Sequence, residues 1–383
     1  VNRARINGAQ INEARINEAR INGTRILVTG AGGAVGSEFL ARLAERSPGA
    51  RITGVFSTRA SADAYLARAP RAVAAALTAE VCDLTDDAST RALADRLGPA
   101  PGPGGTVLVH AAANVSWSAT PEAAHTGNVL VTRRTADLAR GLGNSRFLYV
   151  SSAYTALDAG QYRNTYEESK AEAERMLRRE YADLDPSVFA CSLVVGHSAT
   201  GAISRFHGIY PLLGLVERYE PPFLPGDRDG LIDIVPVDWV ADELCTLTEE
   251  LASGGAARDV VASAGEAAPP LADLVAAVVT ALNRARRAEG RPELPGVPLV
   301  PYRRWDFLRR SVDAWKVTEI RLPNRQFLDR LIGIYRPYLE NAHARPPLGT
   351  TTASPHWGDY VDDAVEYWRA AHARGPARVA PVS

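Results

Sequence analysis

Three residues near the middle of the chain have the types and spacing for proton chemistry at an oxygen. Tyr166 and Lys170 stand four apart at the head of a run, YEESKAEAERMLRREY, that predicts a helix, so they share one face. Ser152 precedes Tyr166 by fourteen residues and closes SRFLYVSS, an apolar run that predicts a strand. Its hydroxyl would lie at the carboxyl edge of a sheet. A phenol, with an ordinary pKa near ~10, is a poor acid or base at neutral pH. A neighbouring ammonium favours its ionised form. So placed, Tyr166 would exchange a proton with a carbonyl or alkoxide oxygen that Ser152 holds in position. Taken singly, each has an ordinary reading: a capping serine, a half-buried tyrosine, a solvated lysine.

The elements that must position them begin with residues 25–36, RILVTGAGGAVG. A short branched apolar run breaks into glycines and then into the helical pattern of SEFLARLAE. Gly30 lets the chain turn, Gly33 lets it approach a pyrophosphate, and Gly36 lets the helix pack on the sheet. The helix begins near Ala34, and its first amides would face that pyrophosphate. Thr29, Gly30, Gly32, Gly33, Ala34, Val35 and Gly36 are therefore candidate dinucleotide ligands. A nicotinamide's positive charge would add to the ammonium of Lys170 in favouring the phenolate, and Lys170 would also hold the nicotinamide ribose.

Further strand ends extend that site. The second strand, 51–58, ends Ser57-Thr58-Arg59, with no carboxylate for ribose hydroxyls. Arg59 would pair with a 2′-phosphate, which favours NADP over NAD. The third strand ends Cys82-Asp83-Leu84; Asp83 would either accept from an adenine amine or serve the helix that starts near Asp86. The fourth, TVLVHAAA, ends in Ala111, Ala112 and Ala113, small enough to leave room for a nucleotide. Val194 and Val195, late in a sixth strand over 186–196, are assigned to the same cofactor edge. Asn114, Ser116, Trp117, Ala153, Tyr154 and His197 are candidate substrate residues, within pocket segments 114–120, 154–163 and 197–230. Asn128 is read as opening a helix, and Asp238 as the N-cap of one at Trp239.

The 383 residues are 46% hydrophobic and carry a formal net charge of −1, which gives no support to nucleic acid or an anionic membrane as main partner. Cys82, Cys191 and Cys245 are far apart and read as buried thiols, and the histidines lack ligand spacing, so no metal is expected. With neither an apolar run of eighteen nor a signal peptide, the expectation is a cytoplasmic protein. Residues 1–23 repeat isoleucine at Ile6, Ile11, Ile16 and Ile21. That period of five suits neither helix nor strand, so they are read as an extension or artefact outside the fold.

As a set, these residues resemble the extended short-chain dehydrogenase/reductases over roughly 25–265. TGAGGAVG is similar to the family's cofactor motif, Ser152, Tyr166 and Lys170 to its catalytic triad, and Asn128 to its helix asparagine, which supports a proton relay. YVSSAYT, VVGHSATG and IDIVPVDWVADEL narrow the resemblance to the thioester-reductase and fatty-acyl-CoA-reductase branch. The chain departs from that branch at Ser152, where threonine is common, at Ala190-Cys191, where Arg-Pro is common, and at His197, where aspartate is common. The resemblance implies NADPH and reduction of a CoA- or carrier-bound acyl thioester to an aldehyde, or on to an alcohol.

The expected fold is α/β: a Rossmann-like doubly wound parallel sheet with a smaller, mainly helical C-terminal substrate-binding region. The expected division is 24–195 for the NADP-binding domain and 196–383 for the substrate region, with 231–265 returning to the core. The apolar stretch FHGIYPLLGLVERYEPPF suits a lipid-like or polyketide substrate. The arginines and aromatics of 302–345 suit either an amphipathic cap or a surface for an acidic carrier protein arriving in trans. Two other readings stand beside this one. One is a ketoreductase, secondary-alcohol dehydrogenase or nucleotide-sugar enzyme of the same fold; the other is a non-catalytic NADP-binding regulator.

Overall fold

The computed structural model describes residues 23–100, 102, 104–156, 162–307, 325–340 and 353–373. The isoleucine repeat, residues 157–161 of a pocket segment, and 308–324 and 341–345 of the arginine-rich stretch lie outside these. Seven strands form one parallel sheet: β1 (Arg25–Thr29), β2 (Arg51–Phe56), β3 (Leu77–Val81), β4 (Thr106–His110), β5 (Ser145–Ser152), β6 (Ser187–Cys191) and β10 (Val260–Ala262). Between the last two, β7 (Leu193–Val195), β8 (Leu224–Pro225) and β9 (Ile234–Pro236) pair elsewhere: β7 with β9, and β8 with β11 (Leu299–Val300). The large sheet runs β10-β6-β5-β4-β1-β2-β3. Strand order reverses between β1 and β4, and a crevice opens there beyond the carboxyl ends.

The strands are apolar throughout because both faces are covered. Alternation sends Ile26 and Val28 into one core with Val107, Val109 and Leu148. Helices α1 (Ala34–Arg46) and α9 (Val237–Ala252) close that face, through Phe39, Leu40, Val240 and Leu244. Leu27, Leu108 and Phe147 point the other way, against α4 (Asp87–Leu97), α6 (Val131–Leu142) and α7 (Thr165–Glu180). Two short helices, α2 (Arg59–Leu66) and α3 (Arg71–Ala76), bridge β2 to β3, and α5 (Pro121–Ala124) precedes α6. A third core joins α8 (Tyr210–Tyr219), α10 (Leu271–Ala288), α11 (Arg325–Glu340) and α12 (Val361–Ala373).

Three local readings are corrected. The strand expected over 186–196 breaks at Ser192, whose hydroxyl donates to the buried Asp233, and the chain leaves β6 for β7 and a different partner. Asp238 caps nothing. Helix α9 starts two residues earlier than expected, at Val237 after Pro236, and the Asp238 carboxylate accepts from the amide and hydroxyl of Ser198. Asn128 does not open a helix either. Thr120 caps α5 by accepting from the Ala123 amide, and Pro121 sits in the first turn. The chain then stays helical through a π-helical segment, His125–Leu130, which contains Asn128. Such segments cluster at functional sites.

Candidate active site

The register sets Thr29 level with Val55 and His110, so the glycine turn leaves β1 at the crevice. Gly30 has φ +70°, and a Cβ there would run into the Ala111 backbone; one on Gly36 would collide with the Gly30 carbonyl. These two positions admit only glycine. Gly33 is the N-cap of α1, with no side-chain cap and no acidic residue in the first turn. A pyrophosphate fits there: the first amides of α1 lack a side-chain acceptor, and the helix dipole favours an anion. Thr29, Gly32, Ala34 and Val35 belong to the same turn and helix start.

The rest of the dinucleotide set is more scattered. Ser57 and Arg59 are exposed past β2, and Arg59 has no hydrogen bond or ion pair among the described residues. Thr58 between them makes a reciprocal capping box with Ser61. Asp83 is exposed, and one of its oxygens accepts from the Thr85 amide and hydroxyl at 2.9 and 2.6 Å. These bonds hold its carboxyl below the usual range. Leu84 is buried behind it. Ala111, Ala112 and Ala113 run on from β4 past the Gly30 turn, and the Ala111 amide donates to the Thr29 carbonyl. Val194 is half-buried, whereas Val195 is buried in the C-terminal core.

The triad assembles at the end of β5. Ser152 is the last residue of that strand and is buried; Tyr166 lies in the first turn of α7, half-buried, and Lys170 one turn on is 2% exposed. Burial raises the Tyr166 pKa well above the ordinary phenol value, helped by Cys191 and Glu167, while a hydrogen bond with Ser152 acts the other way. The phenol is thus kept protonated at neutral pH, the state that a proton donor needs. The Lys170 ammonium donates to the Val150 carbonyl at 2.7 Å and lies 4.0 Å over the Tyr149 ring. Burial pushes its pKa down to about 7, against the pull of Glu174 and Cys191.

That shift has a stability consequence. An unfolded lysine titrates near ~10.4, so between about pH 7 and 10 the unfolded chain binds the extra proton and stability rises with pH. The penalty for the buried charge is full below pH 7. Lys170→Met is therefore expected to raise the unfolding midpoint relative to wild type at pH 6, with the difference shrinking as pH approaches 10. Unfolding curves at several pH values measure it; a difference independent of pH would refute the buried, low-pKa lysine.

Asn128 works through its side chain. Its Oδ1 accepts from the Asn114 amide at 2.8 Å; its Nδ2 donates to the Asn114 carbonyl at 3.1 Å and to Ser169 at 2.8 Å. It ties the loop after β4 to α7, the helix of Tyr166. His110, fully buried, bridges Thr29 at 2.7 Å and Thr132 at 3.0 Å. Burial and the nearby Lys170 lower its pKa to about 3, so it is neutral. Burial pushes the Cys191 thiol up to about 11, so it stays protonated beside the triad.

Beside Tyr166 stands a cluster that sequence reasoning missed. Glu167 is fully buried and accepts from the Arg163 side chain, at 2.9 and 3.2 Å from Nε and 2.6 Å from Nη2, and from the Arg163 amide at 3.0 Å. The Arg163 guanidinium lies between two rings, 4.2 Å from Tyr154 and 4.0 Å from Tyr338. Tyr338, from α11, donates to Glu167 at 2.8 Å and stacks on Trp117 at 4.0 Å. Tyr335 meets the edge of Trp117 at 5.3 Å. Trp117, Tyr335 and Tyr338 form one end of a cavity whose other walls include Leu193, Leu213 and Leu274; its lining exposes no polar surface. The space enclosed between those walls is small, about 40 Å³.

Of the other substrate candidates, Tyr154 and Trp117 belong to this cluster, and Ala153 is buried beside Ser152. Asn114 and Ser116 hydrogen-bond each other in the loop after β4. His197 turns elsewhere: its ring faces Asp238 at 3.8 Å and accepts from the Ala199 amide. Among the described residues no group of three or more His, Cys, Asp and Glu side chains is placed to hold a metal, and no helix is long and apolar enough to cross a membrane.

The fold and this site are similar to those of a class, the NAD(P)-dependent oxidoreductases of the extended short-chain dehydrogenase/reductase type. The family model described as male sterility protein, an NAD-binding domain, matches residues 105–161 and 156–244, which span the triad, and so bears out the resemblance read from the motifs. No curated protein matches the chain in sequence. Among solved structures, the terminal R domain of the myxalamid PKS-NRPS biosynthetic pathway is 19% identical at a TM-score of 0.64, covering 92% of this chain and 91% of that one. A thiolation-reductase di-domain from an archaeal non-ribosomal peptide synthetase is 13% identical, TM-score 0.60, covering 94% and 81%. The Bordetella bronchiseptica enzyme WbmH, in complex with NAD+, is 20% identical, TM-score 0.52, covering 72% and 86%. At such identities these likenesses show the fold.

Proposed function

We propose that the protein is an NADPH-dependent reductase of an acyl thioester, releasing an aldehyde and a thiol, with the thioester delivered on CoA or on a carrier protein in trans. The observation that carries this reading is the apolar cavity that starts at Trp117 and Tyr338, beside the helix of Tyr166. A nucleotide-sugar substrate needs polar and basic groups around its diphosphate, and this lining offers none. Its apolar walls suit an acyl or polyketide-like chain through burial of apolar surface, and they must part to admit one, since the enclosed space is only about 40 Å³. Likeness to a thiolation-reductase di-domain supports a carrier-borne substrate.

The glycine turn, the α1 amides and Lys170 would hold the dinucleotide, and Arg59 would pair with its 2′-phosphate. Bound, it supplies a hydride to the carbonyl carbon. Ser152 and Tyr166 take the carbonyl oxygen between two hydroxyls, and Tyr166 gives its proton as charge builds there. The hemithioacetal that results loses its thiol to leave the aldehyde. Asn128 fixes the Asn114 loop against α7, the helix that carries Tyr166.

The test is NADPH oxidation with acyl-CoA, acyl-N-acetylcysteamine and ketone substrates, with products identified. Aldehyde and free thiol in equal amounts are the expected result. Consumption of ketones with no aldehyde from any thioester would move the protein to the ketoreductase reading.

A further inference from the structure

A second element reaches the glycine turn. The chain between β7 and α8 folds back over α1, where the Ser37 hydroxyl donates to that of Ser204 at 3.0 Å. Next to it, the Arg205 Nε donates to the Gly32 carbonyl at 3.3 Å. Gly32 lies between the two glycines that shape the turn, and the Arg205 side chain is exposed, with no acidic partner among the described residues.

The segment is firmly built. The Gly196 amide donates to the Tyr210 hydroxyl at 2.8 Å, and the Asp238 carboxylate holds Ser198. Gly201 has φ +65°, and a Cβ there would collide with the Asp363 backbone in α12. Ile203, one residue before the Ser204 contact, is buried in the C-terminal core. A rigid loop thus carries one cation to the turn, and no carboxylate stands in the first turn of α1 to neutralise it. The arrangement suits an anion bound at that helix start, with the guanidinium fork matched to phosphate oxygens.

We infer that Arg205 is a cofactor-binding residue that pairs with the pyrophosphate of the dinucleotide. The pyrophosphate is common to NADH and NADPH, so Arg205 and Arg59 have separable roles. Arg205 acts on both cofactors alike, whereas Arg59, beyond β2, acts on the 2′-phosphate alone.

Dissociation constants for NADPH and NADH, from titration of tryptophan fluorescence or calorimetry, test this. Arg205→Ala is expected to weaken both about tenfold, and to make binding less dependent on salt. Arg205→Lys keeps the charge without the fork and falls between. Arg59→Ala weakens NADPH and leaves NADH unchanged. The Arg205 side chain is exposed, so the unliganded variants should melt with the wild type, and that measurement separates loss of a contact from loss of fold. Unchanged affinities in Arg205→Ala, or a loss confined to NADPH, would overturn the assignment. Failure of the wild-type protein to bind either dinucleotide would instead remove the class reading on which it rests.

Discussion

Tyr166→Phe is expected to lower turnover by ~10²-fold or more while leaving dinucleotide affinity unchanged. The substitution removes one oxygen and keeps the ring, so packing at the start of α7 is preserved. What goes is the proton donor. The Tyr166 hydroxyl is held protonated by burial and tied to Ser152 by a hydrogen bond, the arrangement required to protonate an oxygen during reduction. Ser152 alone still donates a hydrogen bond, so some activity should remain. The paired measurements are a steady-state rate with the best thioester and a binding titration with NADPH. A variant that binds and turns over like wild type would remove Tyr166 from the chemistry. A protein that binds the cofactor but shows no turnover in either form would be a sensor, the third reading weighed from the sequence.

The parts of this site that the sequence revealed are those whose constraints are local. The glycine turn is legible because Gly30 and Gly36 have backbone environments that exclude a side chain, and such positions leave a mark in the residue type itself. Tyr166 and Lys170 are legible because helical spacing fixes their common face. A further local signal went unused: of the 43 Lys and Arg residues, only Lys170 and Lys316 are lysines. Arginine does not titrate in the working range, so a chain that otherwise uses arginine and keeps a lysine at this position marks a group whose pKa matters. Arg163 and Glu167 are also four apart and open to the same reasoning.

What stayed hidden depends on partners far away in the chain. Asp238 has every local feature of an N-cap, yet its carboxylate goes to Ser198, forty residues earlier. Tyr338 lies 171 residues from the glutamate it binds, and Arg205 lies 173 from the glycine it touches. No periodicity encodes such pairs. Asn128 is intermediate: its place in a helix was legible, whereas its grip on both backbone groups of Asn114 depends on a π-helical segment that sequence patterns do not announce.

Glu167→Ala is expected to destabilise the protein by about 3–5 kcal/mol, far more than a typical ion pair. Exposed pairs contribute about 0–1 kcal/mol because water screens both charges. Here the side chains are 9% and 0% exposed, and removing the carboxylate leaves the Arg163 guanidinium between two aromatic rings without a counter-charge. The Tyr338 hydroxyl loses its acceptor in the same step. Denaturant unfolding measures the loss, and a double-mutant cycle separates its causes. Arg163→Met with Glu167→Leu removes both charges and refills the volume, so it should cost much less than Glu167→Ala alone. A single-variant loss below about 1 kcal/mol would mean that water already reaches the pair. In that case Tyr338 would not be anchored to α7, and the link between the C-terminal helix and the helix of Tyr166 would have to be carried by the Trp117 stack, whose share is only about 0.5–1.5 kcal/mol.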